Sequence, residues 1–424
     1  MRTLYTLVWW LALPPVLLRL WWRGRKEPGY RRHIGERLGV YPHPIIKNRP
    51  IIWVHAVSVG ETRAAEPLIT ALLDEYSDHD ILLTHMTATG RETGASIFSH
   101  LAPRVMQSFL PYDTGWMMSR FLRHFSPRIC ILMETEIWPN LIAQCVKHHV
   151  PVTLGNARMS VRSLSRARFA SSLMATAAAN ITCVAAQTQA DGERLRLYGV
   201  TNVQITGSVK FDVTPPDTSV ALGTSLRLQF GARPILLCAS TREGEEDLLL
   251  DALPSLGIPD ALLVIVPRHP QRFDAVAQLI AARGLILCRR SELENGVLVP
   301  ADVRILLGDS MGEMFAYHAA ADVAFIGGSL LPLGGQNLIE ACAIGTPVLV
   351  GPHTFNFGAI TEDATEAGAA IRVLDARELM QQASKLLKDA GLCQEMGRKA
   401  QAFAQQQQGA TERTMALLRP LLGK

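Results

Sequence analysis

Short apolar runs alternate with amphipathic stretches along most of this chain. In the first half the runs fall at 51–57, 81–86, 105–110, 129–133, 152–154, 181–185 and 203–205. Stretches of helix length, such as 64–76 and 116–125, separate several of them. This is the rhythm of a parallel sheet covered by helices on both faces. Pro215-Pro216-Asp217 interrupts it, and 213–233 reads as a linker without regular structure. The rhythm then restarts, with runs at 235–238, 262–266, 285–288, 304–307, 323–326, 348–350 and 371–373 and helical stretches such as 273–283 and 337–343. The pattern predicts an α/β protein: two doubly wound domains, 33–212 and 234–376, facing each other across a cleft, with a helical segment over 377–424.

Ahead of the first domain the pattern differs. From Leu4 to Leu18 the chain is apolar apart from Tyr5 and Thr6, and Leu20, Trp21 and Trp22 extend the run. About 19 residues at ~1.5 Å each reach roughly 28 Å, enough to span a hydrocarbon core. Pro14-Pro15 would kink such a helix, and Trp9, Trp10, Trp21 and Trp22 suit an interface belt. The basic residues Arg19, Arg23, Arg25, Lys26, Arg31 and Arg32 follow the run, the reverse of a signal peptide, and no small-residue cleavage site is apparent. Residues 1–32 therefore read as an anchor, spanning or deeply interfacial, whose basic flank keeps the following domains in the cytoplasm.

Composition narrows the field. A chain of 424 residues with 48% hydrophobic and 19% charged residues is globular, not disordered. A net charge of +4 is too small for nucleic-acid binding over the whole surface. The seven cysteines are scattered, with no CxxC pair, and read as buried free thiols in a reducing compartment.

The candidate chemistry lies where the apolar runs end. In 51–62 a strand-type run passes through Ser58 and Gly60 to Glu61. A carboxylate at the carboxyl end of a first strand can take a proton from a substrate hydroxyl. It can also simply favour the helix N-terminus that follows. Glu134 and Glu136 follow another strand two residues apart, so both can point to one side; one of them pairing with Arg158 is the plainer alternative. His55, inside the first run, reads as a core histidine. In the second half, Ser240-Thr241-Arg242 with Gly244 opens a helix as an anion site. Arg268-His269 sits between two prolines and can clasp phosphate oxygens. Asp309-Ser310-Met311-Gly312-Glu313 also follows a strand. The most specific set runs from Gly327-Gly328-Ser329 through Gly334-Gly335-Gln336-Asn337-Leu338-Ile339-Glu340 to Gly345-Thr346-Pro347. Its glycines let backbone N–H groups close on a phosphate, and Glu340 can accept ribose hydroxyls. Neither a dehydrogenase glycine fingerprint nor a Walker A loop occurs.

This last set resembles the donor half of nucleotide-sugar glycosyltransferases with two Rossmann-like domains, the GT-B architecture. The order of His55–Glu61, Met133-Glu134-Thr135-Glu136-Ile137-Trp138-Pro139-Asn140, Asn156-Ala157-Arg158-Met159-Ser160, Gly207-Ser208-Val209-Lys210-Phe211-Asp212, Pro267-Arg268-His269-Pro270 and the 334–340 motif further resembles the membrane-bound 3-deoxy-D-manno-octulosonic acid (Kdo) transferases of Gram-negative bacteria. The resemblance implies transfer of Kdo from CMP-Kdo to a lipid A precursor at the cytoplasmic face of the inner membrane, as a step of lipopolysaccharide synthesis. It implies inversion at the anomeric carbon, no cofactor and no bound metal. It makes Glu61 the general base and gives Glu134 or Glu136, with Lys210, the stabilisation of the transition state or the leaving CMP. It assigns CMP to Arg268, His269, Met311, Gly312, Glu313, Asn337, Leu338, Ile339 and Glu340. Asn156, Arg158 and Ser160 would either face acceptor phosphates or serve structure. Two other readings share the architecture: a membrane-associated transferase using a UDP-sugar, and a non-catalytic nucleotide-sugar-binding protein in which Glu61 is dispensable.

Overall fold

The computed structural model describes residues 1–25, 27–41, 49–161, 163–164, 171–294 and 296–423; Lys26 of the basic flank lies outside them. The chain divides into unit 1, residues 1–212 with 408–424, and unit 2, residues 213–407. All fourteen apolar runs become strands. Unit 1 contains β1 (Ile51–His55), β2 (Asp80–His85), β3 (Val105–Phe109), β4 (Ile129–Met133), β5 (Val152–Ala157), β6 (Cys183–Ala186) and β7 (Val203–Ile205). Unit 2 contains β8 (Ile235–Thr241), β9 (Leu262–Pro267), β10 (Leu287–Arg289), β11 (Ile305–Leu307), β12 (Val323–Ile326), β13 (Val348–Val350) and β14 (Ala370–Arg372).

Unit 1 orders its strands β3-β2-β1-β4-β5-β6-β7, and unit 2 orders them β10-β11-β9-β8-β12-β13-β14, every pair parallel. A parallel sheet covered on both faces needs strands that are apolar at every position. β1 and β4 are buried along their whole length. Alternate side chains of β1 feed two cores. Ile51 and Trp53 join Phe121, Leu132 and Leu154, while Ile52 and Val54 join Leu68, Leu72 and Ile131. His55 is fully buried in this sheet with Nδ1 2.8 Å from the Thr84 hydroxyl, and burial pushes its pKa down to about 3, so it is a neutral core histidine.

Two strands run further than the apolar pattern suggests. β5 passes through a register shift between Leu154 and Ala157, and β8 through one between Ala239 and Thr241. Each irregular step carries a non-glycine residue in the left-handed region, Asn156 at φ +53° and Ser240 at φ +56°. Bulges of this kind re-aim the chain at sheet ends next to functional loops.

The expected linker is largely a helix, Asp217–Phe230. Proline stands just outside it, at the N-cap Pro216, where its missing N–H costs nothing, and Asp217 favours the positive helix end. Leu226 and Phe230 anchor the helix in the unit 2 core. The C-terminal segment is three helices. Ala376–Lys388 and Ala390–Gln406 belong to unit 2, and Ala410–Leu422 belongs to unit 1. There, Asp212 accepts hydrogen bonds from Gly409 N at 2.6 Å and Thr411 N at 2.5 Å, Met415 and Leu418 enter the core beside Leu72, and Arg419 clasps Glu75 at 2.9 and 3.0 Å.

Asp212→Ala removes this cap. We expect a loss of roughly 1–2 kcal/mol from unit 1 stability, read as an earlier chemical-denaturation transition with unit 2 unaffected.

Candidate active site

β1 lies between β2 and β4, so the chain leaving β1 turns one way while the chain leaving β4 turns the other. The gap between them is the switch point of unit 1. Glu61 leaves from β1 and Glu134 from β4. Glu61 stands in the first turn of the helix Val59–Glu75, which Ser58 caps. Its carboxylate accepts from Val57 N at 2.7 Å and from the Ser58 hydroxyl at 3.0 Å. The Ser58-x-x-Glu61 spacing is that of a capping box, so Glu61 serves the helix start while its half-buried carboxylate keeps a partly accessible edge.

Glu134 is the first residue past β4 and is held at φ +56°, a conformation an L-residue adopts at a cost of about 1–3 kcal/mol. This turn brings its carboxylate to two cations. Oε1 takes Lys210 Nζ at 3.2 Å and Oε2 takes Arg158 Nε at 3.1 Å. The arginine partner is thus Glu134's; Glu136 instead accepts from the Trp138 indole at 2.6 Å. Asn156, fully buried, accepts from Val209 N at 3.2 Å and so fixes the turn Val209–Asp212 that carries Lys210. Burial removes Asn156 from any contact with acceptor phosphates. Its neighbour Ser160 is exposed and accepts from Ser163 N at 3.1 Å.

Three carboxylates share this edge. Burial, followed by the negative charges of Glu134 and Glu136, raises the Glu61 pKa from 4.5 to about 7, against the pull of the Val57 and Ser58 hydrogen bonds. Glu136 is raised by burial and by Glu134. A folded-state pKa above the unfolded one means that the folded chain binds the proton more tightly. The Glu61 contribution to stability is therefore full below about pH 4.5 and lost as the pH rises through 7. A group poised near neutrality is suited to proton abstraction.

In unit 2 the switch point falls between β8 and β12. Gly327 leaves β12 so close to the bulge of β8 that a Cβ would sit 2.6 Å from the Ser240 carbonyl oxygen. The next three N–H groups do not await a phosphate. Gly328 N, Ser329 N and Leu330 N donate to the buried Glu245 carboxylate at 2.6, 3.0 and 3.0 Å, and Arg242 N adds a fourth bond at 2.9 Å. The chain's own carboxylate thus fills the anion site expected at Ser240–Gly244 and the first glycine pair. Its neighbour Glu246, also fully buried, accepts from the Thr241 hydroxyl at 2.8 Å and from Arg272 at 2.6 Å. Neither glutamate stood out in the sequence; the signal available was a Glu-Glu pair in a first helical turn directly after a strand.

The other expected donor residues divide by exposure. Arg268, half-buried after β9, donates its backbone N–H to Thr241 O at 2.9 Å. His269 is exposed beside it, and burial with the charges of Arg242, Arg268 and Arg272 lowers its pKa. With Arg272 already paired to Glu246, Arg242 and Arg268 give this edge the positive character a phosphate needs. After β11, the neighbour of β9, Met311 is 57% exposed and Gly312 has φ +84° with open space around it. Glu313 is engaged by Arg290 at 3.1 and 3.2 Å and by the Ser310 hydroxyl at 2.6 Å. Asn337 accepts from Ile339 N at 3.1 Å and donates to Glu340 at 3.0 Å. Glu340 stands in the first turn of the helix Ile339–Ile344. Leu338 and Ile339 are each 1% exposed, so their side chains belong to the core and only their backbone groups can meet a ligand. Among the described residues no cluster of three or more His, Cys, Asp or Glu is arranged to hold a metal ion.

Residues 32–213 match the family model described as 3-deoxy-D-manno-octulosonic-acid transferase (kdotransferase). The 3-deoxy-D-manno-octulosonic acid transferase of Bordetella pertussis is 43% identical over 434 residues, covering 100% of both chains. That of Haemophilus influenzae is 34% identical over 427 residues, covering 99% of each. Solved structures with the same fold include a UDP-GlcNAc 2-epimerase from Neisseria meningitidis (TM-score 0.59, 14% identity, 87% of this chain and 99% of that one). A glycosyltransferase from Rickettsia africae is similar in the same way (TM-score 0.60, 13% identity, 89% and 100%). Two parallel α/β units in one chain, with their polar loops at the carboxyl ends of the strands, give the GT-B class. Within it, the chain belongs to the 3-deoxy-D-manno-octulosonic acid transferase family, and it is a glycosyltransferase.

Two measurements check this geometry. Glu245→Ala strands three buried N–H groups and a partly buried fourth and should cost roughly 3–5 kcal/mol in unit 2, with Glu245→Gln far milder. Glu134→Gln removes a negative charge facing Glu61, so the Glu61 pKa should fall below its wild-type value of about 7 in a carboxyl-resolved NMR titration; an unchanged value would refute the electrostatic coupling.

Proposed function

We propose that this protein transfers Kdo from CMP-Kdo to a lipid A precursor at the cytoplasmic face of the inner membrane, in lipopolysaccharide synthesis. The reaction is an inverting single displacement that needs neither a metal nor a cofactor. The acceptor hydroxyl oxygen bonds to the anomeric carbon of Kdo while the bond from that carbon to the CMP phosphate oxygen breaks. The hydroxyl proton goes to Glu61, and the electron pair of the broken bond goes to the phosphate.

The observation that carries this reading is the poise of Glu61. It is half-buried at the switch point of unit 1, close enough to two other carboxylates for its pKa to reach about 7. Such a carboxylate is ionised in an appreciable fraction at cytoplasmic pH, yet basic enough to accept a hydroxyl proton as the transition state forms. Lys210 supports charge development. It is positioned by Glu134 and, through Val209, by Asn156. Electrostatic stabilisation of a leaving phosphate depends on such preorganised donors. On the donor side, Arg268 and His269 suit the phosphate, with the Asn337–Glu340 pair and the open Met311-Gly312 turn offered to the rest of the nucleotide. The membrane setting draws on the apolar first helix and on the full-length kinship with bacterial Kdo transferases.

The test is transfer from CMP-Kdo to tetra-acylated lipid A precursor with EDTA present. Wild-type protein should give product, and Glu61→Gln should lose ~10²-fold or more. The wild-type rate should fall as the pH drops below about 7, where Glu61 becomes protonated, and the residual rate of Glu61→Gln should lack that limb. Absence of product from wild type would sink the substrate assignment and call for UDP-sugars as donors. Full activity in Glu61→Gln would remove Glu61 from the mechanism while leaving the family intact.

A further inference from the structure

The first helix, Arg2–Arg23, is long and apolar enough to cross a membrane. It is not a free rod, because one stripe of it is docked on unit 1. Thr6 Oγ1 accepts from Asn140 Nδ2 at 3.0 Å. The Trp9 ring lies 5.7 Å from that of Tyr112. Leu13 is 5% exposed and packs with Tyr112 and Met117, and Val16, Leu17 and Leu20 join the same cluster. Positions 6, 9, 13, 16, 17 and 20 follow helical spacing, so the docked stripe runs about 21 Å along the axis. Its partner surface is rigid. Buried Asp113 accepts from Asn140 N at 3.0 Å and Leu141 N at 2.7 Å, and its carbonyl accepts from Asn140 Nδ2 at 2.7 Å.

The opposite stripe is apolar and bare over the same length. Leu4, Leu7, Val8, Leu11 and Leu18 are 54–71% exposed, and Trp22 is 67% exposed. Pro14 and Pro15 are exposed as well. Neither has an N–H, so the carbonyls of Trp10 and Leu11 have no helical donor. A helix lying at the surface keeps these carbonyls in the wetter headgroup zone, whereas at the centre of a bilayer neighbouring groups would have to satisfy them. The tryptophans agree. Trp10, Trp21 and Trp22 are all exposed, and only a helix lying flat puts the middle and the end of the rod at one interfacial depth. Arginine supplies the rim. Arg25 and Arg31 lie over the Trp21 ring at 5.1 and 4.8 Å, with Arg2 exposed at the other end.

We propose that this helix lies in the plane of the membrane surface, fixed to unit 1 by one stripe and sunk into an anionic lipid leaflet by the other, and does not cross the bilayer. An amphipathic helix with tryptophan and arginine at its polar border is built for that position. The inference deepens the membrane placement proposed above and does not depend on which sugar is transferred.

The test uses the full-length chain in inverted inner-membrane vesicles, whose cytoplasmic side faces out. Arg2→Cys should react with a membrane-impermeant maleimide to the same extent as Arg23→Cys, without detergent. Thr6→Cys with Asn140→Cys should be bridged by a short bifunctional thiol reagent in the same vesicles, with the cross-linked peptide mapped by mass spectrometry. Leu7→Glu with Leu11→Glu, both at exposed positions, should fold normally and lose binding to vesicles of anionic phospholipid. Labelling of Arg2→Cys only after detergent would establish a span and overturn the proposal. Absence of the bridge would overturn the docked stripe. Undiminished vesicle binding by the double glutamate variant would mean that the bare stripe meets something other than lipid. Each of these outcomes is independent of transferase activity, which separates failure here from failure of the substrate assignment.

Discussion

When a strand is inserted in parallel between two strands that come later in the chain, the loops at its carboxyl end and at its neighbour's must part. β1 in unit 1 and β8 in unit 2 are both such strands. The parting leaves a gap lined by first-turn residues and by backbone N–H groups that have run out of ladder partners. Something must meet those groups, because buried donors without acceptors are costly. The two units answer this demand differently, and the difference sets what each one can do.

Unit 2 satisfies its gap from within. Glu245 gathers four N–H groups, and Glu246 binds Thr241 and Arg272 beneath it. With that turn occupied, the proposed donor contacts fall to the Arg268-His269, Met311-Gly312 and 334–340 turns. Unit 1 leaves its gap to carboxylates that are partly accessible. Glu61 bonds the start of its own helix, and Glu134 is shared between Lys210 and Arg158. Mutual repulsion among these acids, added to burial, brings Glu61 close to neutrality. A half-buried, shifted acid in unit 1 and a structural plug in unit 2 are thus two uses of a glutamate in a first helical turn.

The strands were legible because a parallel sheet buried on both faces writes itself as unbroken apolar runs. All fourteen runs correspond to strands, most with ends shifted by no more than one or two residues, and the two longest extensions lie at bulges, where Asn156 and Ser240 interrupt the pattern without ending the strand. The helix Asp217–Phe230 was hidden by Pro215-Pro216, since proline before a helix and proline forbidding one look alike in sequence. Motifs gave the positions of Glu61, Glu134 and Lys210, and Arg158 as a partner for one of Glu134 and Glu136, but not which of them it takes. Arg158 chose Glu134, Glu136 turned to Trp138, and Asn156 went inside to hold Val209. Such choices depend on distances across the sheet, which spacing along a chain does not carry. Leu338 and Ile339 show the same limit from the other side, because the motif they stand in is real but their side chains serve the core.

The helix Ala410–Leu422 returns to complete unit 1 after the whole of unit 2 has been made. On the ribosome, the strands of unit 1 emerge first and then wait for their last helix while about 195 further residues are synthesised, roughly ten seconds or more. Throughout that interval the groove that will take Met415 and Leu418 is open, and Asp212 has no helix end to cap. The first unit to be translated is therefore the last to close, and its nascent form presents an apolar seam that a chaperone has time to find.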